Sequence, residues 1–198
     1  MAPHMMSEEE FKNTIRPTLH SVSSGTGMRR GEILNLTWNK VDFDKHMIRL
    51  ESTDTKDRQA RNVPICTELF EMLRNMPNKL HTEDDDNHVF QFQGKPMKDV
   101  RAALRRACKL AGIVYGRKEK GGFVFHDLRH TFNTNMRKAG VQESVIMDIT
   151  GHSTREMFDR YNSIDEGDAH TAIGKLEGYF SNGDHIGDQV GVLKKEVV

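Results

Sequence analysis

The sequence predicts a mainly helical domain carrying a small antiparallel β-sheet, an α+β fold. Two patterns carry that expectation: apolar residues recur at helical spacing through most of the chain, and residues 46–53 and 61–65 alternate like the strands of a hairpin. At 198 residues, 36% of them hydrophobic, the chain is long enough to bury one core.

Residues 1–6 read as an expression scar and disordered start, residues 7–180 as the domain, and residues 181–198 as a flexible tail. Ser7 and Glu10 fit a capping box, so a helix is expected from near Glu8 towards Ser21, bent or restarted at Pro17. Ser23 to Gly27 reads as a turn. A short helix follows, with Arg29 at its start and Ile33, Leu34, Leu36 and Trp38 buried. The two strands form a hairpin whose polar tip, Asp54 to Ala60, carries Lys56. Pro64 ends the second strand, and Thr67 to Met76 is an amphipathic helix. The acidic run 83–86 is a loop, and His88 to Phe92 is expected as a third, edge strand. Pro96 suits the first turn of a basic helix running to Leu110 and closed by Gly112. Gly116 to Gly122 reads as a mobile basic loop. The helix carrying Arg129 should stop at Gly140, followed by a short helix over 141–149. Ser153 and Glu156 make a second capping box, which places Tyr161 about two turns into the next helix. Ala169 to Phe180 is a last amphipathic segment.

Formal net charge is zero, with 29 basic and 29 acidic residues. That total hides a separation: residues 98–137 hold ten Lys/Arg against three acids, an excess of seven positive charges balanced by acidic margins elsewhere. A basic middle suits a local polyanion surface, here Arg105, Arg106, Arg117, Lys118 and Lys120, better than a protein that coats nucleic acid all over. No apolar run is long enough for a membrane span, and two cysteines with no export signal predict a reducing, cytoplasmic setting without disulfides.

The most informative stretch is His126-Asp127-Leu128-Arg129-His130. Positions i, i+3 and i+4 share a helix face, so His126, Arg129 and His130 can serve one pocket. A guanidinium fork matches phosphate oxygens, an imidazole moves a proton near neutral pH, and a helix start offers N–H groups to an anion. These residues predict a phosphate site, with Gly151-His152 and Tyr161 downstream.

In chain order, Thr26-Gly27-Met28-Arg29-Arg30-Gly31-Glu32, Thr55-Lys56 before Arg61-Asn62-Val63-Pro64, His126-Asp127-Leu128-Arg129-His130-Thr131, Gly151-His152-Ser153 and Arg160-Tyr161 resemble the motifs of the tyrosine recombinases, the phage integrase family. The resemblance spans residues 26–161. It implies a tyrosine recombinase catalytic-domain fold and metal- and ATP-independent DNA strand breakage and rejoining through a 3′-phosphotyrosyl link. It also implies Arg29, Lys56, His126, Arg129, His152 and Tyr161 as the catalytic set, with Glu32 and His130 in support. No cofactor is expected; double-stranded DNA is the expected partner, with a homo-oligomer on DNA in the full-length protein and a bacterial or phage origin. Two departures stand out. Thr150 replaces the leucine common before Gly-His, which should affect packing more than chemistry, and no separate N-terminal helical domain is seen, so the chain resembles a catalytic domain cut from a longer protein.

Three other readings compete. A type IB topoisomerase would use related chemistry, but the Gly-His and hairpin context resembles integrases. A metal hydrolase could use His126 and His130, but the stretch lacks the glutamate of the zinc-protease pattern and Arg129 would repel a cation. A catalytically inactive DNA-binding module would bind DNA and form no covalent adduct.

Overall fold

The structure, a computed structural model, describes residues 11–77, 87–152, 154–159 and 166–181. The first capping box, the acidic loop 83–86, Ser153, Tyr161 and the tail from residue 182 onwards lie outside the described residues. The chain divides after Phe158 into two compact units.

In the first unit a π-helical turn, Phe11–Ile15, runs into helix α1, Arg16–Thr26. Pro17 sits in the first turn of α1, where its missing N–H is tolerated, and this is the expected restart. The helix then continues through the serine-rich stretch expected to be a turn. Ser24 and Thr26 turn their hydroxyls back onto the carbonyls of His20 and Val22, which satisfies them inside a helix, and Gly27 at φ 63° closes it with its N–H on the Ser23 carbonyl. Helix α2, Arg30–Leu34, buries Ile33 and Leu34 as expected, and Leu36 and Trp38 follow them into the core.

Strands β1 (Val41–Asp42), β2 (Met47–Leu50) and β3 (Arg61–Pro64) form one antiparallel sheet in that order. Ile48 opposes Val63 and Leu50 opposes Arg61, so Ile48, Leu50 and Val63 share the buried face. At two residues, β1 is too short to show alternation, and the sequence reading missed it. Helix α3, Thr67–Arg74, buries Leu69 and Leu73.

The expected edge strand at 88–92 is different in the structure. His88 makes only a bridge to Thr37, while β4 (Gln91–Phe92) pairs with β5 (Lys95–Pro96) in a separate hairpin. Its two turn residues, Gln93 and Gly94, both have positive φ (51° and 71°), the geometry of a tight two-residue hairpin turn. Pro96 therefore belongs to this hairpin, and the basic helix α4 begins later, at Arg101–Leu110, where Asp99 accepts the Arg101 backbone N–H at 3.0 Å. Gly112 follows at φ 69°.

Helices α5 (Phe125–Lys138), α6 (Glu143–Thr150) and the short α7 (Arg155–Asp159) complete the ordering around the site. One continuous core joins Leu19 and Val22 of α1, Ile33, the sheet residues, Leu69, Phe90 and Leu128 of α5. Each such side chain contributes about 1.5–3 kcal/mol by leaving water. A smaller cluster of Phe132, Ile146 and Phe158 lies where α5, α6 and α7 meet. Helix α1 packs on α5 and β3 packs on α6, so the ends of four elements remote in sequence converge.

In the second unit, α8 (Glu166–Ser181) matches the last expected amphipathic segment. Its Ile173, Leu176, Tyr179 and Phe180 are about half exposed. Among the described residues, no helix is long and apolar enough to cross a membrane.

Candidate active site

Arg129 projects from the second turn of α5 and is 2% exposed. Its Nη1 donates to the carbonyl oxygens of Gly27 (2.6 Å) and Thr150 (2.7 Å), which end α1 and α6. Helix C-terminal carbonyls lack partners of their own and carry partial negative charge, so a guanidinium between two of them is well placed. The close approach depends on Gly27: a Cβ there would lie 2.5 Å from Phe132 Cδ1 and 2.8 Å from Thr150 Cγ2. Nη2 lies against the ring of His152, and the buried Nε–H has no hydrogen-bond partner among the described residues. Burial, then repulsion from Arg29, lowers this guanidinium to about 9, and it stays charged at neutral pH.

Arg29 stands at the start of α2 and is held from three sides. Glu32, 4% exposed, accepts its backbone N–H at 2.8 Å and its Nη1 at 3.2 Å, while Nη2 donates to Asp57 (2.6 Å) and to the Gly151 carbonyl (2.8 Å). Glu32 also binds Arg61 Nη2 at 2.6 Å, and Arg61 Nε donates to the Ile149 carbonyl at 2.9 Å. The supporting residue expected at Glu32 is thus the carboxylate shared by two arginines. Three guanidiniums face two carboxylates here, leaving one positive charge over before any ligand arrives.

Arg61 and Asp57 were given no role in the sequence reading. A signal for Arg61 existed: it lies two residues from Val63 and so shares the inward face of β3, an unusual place for an arginine without a partner. Asp57 had none, because its partner Arg29 is 28 residues away.

A cavity of about 220 Å³ opens beside this cluster, lined by Arg29, Arg61, Asp57, Gly151 and His152 among others. Gly151, at φ 69°, ends α6 and lets Arg61 approach, since a Cβ would meet its Nη1 at 2.8 Å. His152 is lowered to about 3 by burial and then by Arg129 and Arg29.

The three-residue face expected of α5 is divided by the fold. Arg129 turns to the carbonyl cradle, while His126 and His130 stack edge to face with ring centres 4.6 Å apart. His126 lines a second cleft, about 610 Å³, with Arg30, Arg101, Tyr115 and Arg117. Burial, then the neighbouring His130, lowers His126 to about 4, and burial likewise lowers His130. The helix start expected to offer free N–H groups is partly capped, with Asp127 accepting the Val124 N–H at 2.7 Å.

Lys56 is exposed on the hairpin tip between two anchored neighbours. Thr55, 6% exposed, bonds both the N–H and the carbonyl of Gln59 at 3.0 Å, and Asp57 holds Arg29. Of the basic surface, Arg105, Arg106, Arg117, Lys118 and Lys120 are all exposed, with Arg105 over the Tyr115 ring at 5.2 Å. Thr150 does more than pack: its hydroxyl lies 2.7 Å from His152 Nδ1, so the departure expected to matter for packing reaches the site itself.

The integrase of Salmonella phage P22 is 29% identical over 145 residues, covering 69% of this chain and 36% of that protein. The catalytic domain of bacteriophage HP1 integrase shares the fold at a TM-score of 0.55 with 24% identity, covering 86% of this chain and 93% of that one. The XerH site-specific recombinase, in a post-cleavage complex with its palindromic difH substrate, does so at 0.64 with 22% identity, covering 87% and 48%. The chain spans less than two thirds of the length of curated relatives it matches. A model of the phage integrase family matches residues 7–167, which contain the arginine cluster, the hairpin tip, His126, His130 and His152, and the chain therefore belongs to the phage integrase family.

Proposed function

We propose that this chain is the catalytic part of a site-specific DNA recombinase that breaks and rejoins strands through a 3′-phosphotyrosyl intermediate on Tyr161. The observation that carries the reading is the arginine cluster. Arg29 lines one small cavity with His152, and Arg129, 100 residues further on, lies behind it against the His152 ring; the two are held by buried carbonyls and Glu32, with one uncompensated positive charge. A phosphodiester supplies the missing negative charge, and preorganised guanidiniums stabilise the further charge that grows on its non-bridging oxygens.

In the proposed step the Tyr161 oxygen attacks phosphorus and the bond from phosphorus to the 5′ oxygen breaks. The phenolic proton passes to a neutral histidine, and His126, lowered to about 4, is neutral at neutral pH. Lys56 protonates the departing 5′ oxygen. The phosphodiester energy stays in the protein–DNA bond, so a 5′-hydroxyl from another strand reverses the step without ATP. Arg29's Nη2 is held by Asp57 in this structure, and the phosphate competes with that carboxylate.

Double-stranded DNA is the proposed partner, its backbone lying along the second cleft and the basic residues from Arg105 to Lys120. The full-length protein is proposed to act as a homo-oligomer on DNA in the cytoplasm. The test is incubation with a nicked duplex, which traps the cleaved strand, in excess EDTA. A denaturation-resistant protein–DNA adduct is expected, and an absolute requirement for added magnesium or zinc would overturn the mechanism.

A further inference from the structure

Thr150 is the last residue of α6 and is fully buried. Its hydroxyl oxygen lies 2.6 Å from the Ile146 carbonyl oxygen and 2.7 Å from His152 Nδ1. A carbonyl oxygen only accepts, so the single hydroxyl proton points to Ile146. Towards Nδ1 the hydroxyl then presents lone pairs, and Nδ1 must carry the proton between them. Turning the ring over does not relieve this, because it would put a ring carbon at the 2.7 Å position, well inside carbon–oxygen contact. Arg129 does not compete for Nδ1. Its Nη2 is 3.3 Å from Nδ1 and 3.0 Å from Nε2, so nearly equidistant that it lies against the ring instead of along one lone pair.

We infer that Thr150 is a positioning residue for His152: its hydroxyl accepts the Nδ1 proton, fixes the ring, and leaves Nε2 as the bare nitrogen that takes up a proton from solvent when an anionic phosphate binds and then donates it in a hydrogen bond. The part that concerns phosphate rests on the recombinase reading; the part that concerns the ring does not. A neutral imidazole has one proton, and which nitrogen holds it decides what the other offers a ligand. His152 is neutral at neutral pH, burial being the main cause. With Nδ1 committed to α6, the ring can act at Nε2 without turning. The Phe158 ring packs edge on against it, with ring centres 5.6 Å apart.

Nitrogen-15 NMR of the histidine side chains at neutral pH reads the tautomer directly, with the His152 signals identified by their loss in His152→Gln. The wild type and Thr150→Ser should show Nδ1 protonated and Nε2 bare. Thr150→Val keeps the branched shape without the hydroxyl, and its His152 should move to the Nε2-protonated form. Covalent adduct formation on the nicked duplex should slow roughly tenfold or more in Thr150→Val and recover in Thr150→Ser. An Nε2-protonated ring in the wild type, or an unchanged tautomer in Thr150→Val, overturns the inference. The wild-type spectrum decides the tautomer even if Thr150→Val does not fold. If the tautomers follow this pattern while no protein, wild type included, forms an adduct, the role of Thr150 stands and the recombinase reading fails.

Discussion

Arg129 and Lys56 carry the same charge, and the fold treats them in opposite ways. Arg129 is buried to 2% and bonded to the carbonyl ends of two helices, whereas Lys56 stands exposed at the tip of a hairpin. The difference follows from what each is proposed to do. Charge that stabilises a transition state acts best when it needs no reorganisation, so its donors are fixed in advance by the core. A proton donor has to meet a leaving group that arrives with the DNA, and a flexible ammonium on a turn anchored at Thr55 and Asp57 has that reach. The cost of the first strategy is that the site and the fold share a residue.

The sharpest way to break this contrast is substitution at the two positions. Arg129→Ala leaves the Gly27 and Thr150 carbonyls buried without their charged donor, each at a cost of about 1–3 kcal/mol, and removes the proposed transition-state contact, expected to be worth on the order of 10²–10³ in rate or more. Both thermal stability and adduct formation should fall, and Arg129→Lys, which cannot reproduce the fork, should lose most of the rate with less loss of fold. Lys56→Ala should slow adduct formation by about 10² or more with an unchanged melting temperature. A substrate with sulfur in place of the leaving 5′ oxygen needs no proton, so it should restore much of that rate. An unstable Lys56→Ala, or a fully stable Arg129→Ala, would erase the distinction.

These positions also show what was legible before the structure. The motif around Arg129 is local, three residues within one helical turn and a half, and spacing alone placed them on one helix. What spacing could not show is that Arg129 turns into a cradle of two helix-end carbonyls while His126 lines a cleft, because that depends on where α1 and α6 end. Thr150 and Asp57 matter through contacts with residues 2 and 28 positions away, and neither identity nor period marks a hydroxyl that touches a ring or a carboxylate that touches a guanidinium. Among the elements, the long apolar periods of α3 and α5 were readable. The two-residue strands were not, since pairing defines them and local pattern does not. Ser23 to Gly27 misled because serine, glycine and threonine favour turns locally, and here back-bonded hydroxyls and a C-terminal glycine made them the end of a helix.

A smaller effect separates the cradle from the outer basic surface. Neutralising Arg105, Arg106 and Arg117 together should lower DNA affinity and flatten its dependence on salt, because fewer counterions are released. Chemistry from the bound state should change little. A salt slope identical to wild type would remove these side chains from the interface.

The smallest expected effect is on stability in acid. His126 and His152 are held at about 4 and about 3, below the 6.5 of an unfolded chain. Below 6.5 the unfolded state takes up protons that the folded state refuses, so the melting temperature should fall as pH drops from about 6.5 towards 4, with no contribution from these groups above about 7.5. Replacing both by glutamine should flatten part of that decline, measured by circular dichroism across the range.

The central claim is that Tyr161 is the nucleophile served by the Arg29 and Arg129 cradle. Digesting the trapped adduct and sequencing the DNA-linked peptide by mass spectrometry tests it most directly. The modification should map to Tyr161, and Tyr161→Phe should bind DNA nearly as the wild type does while forming no adduct. A link at Tyr115 or Tyr179, or an adduct formed at the wild-type rate by Tyr161→Phe, would contradict it.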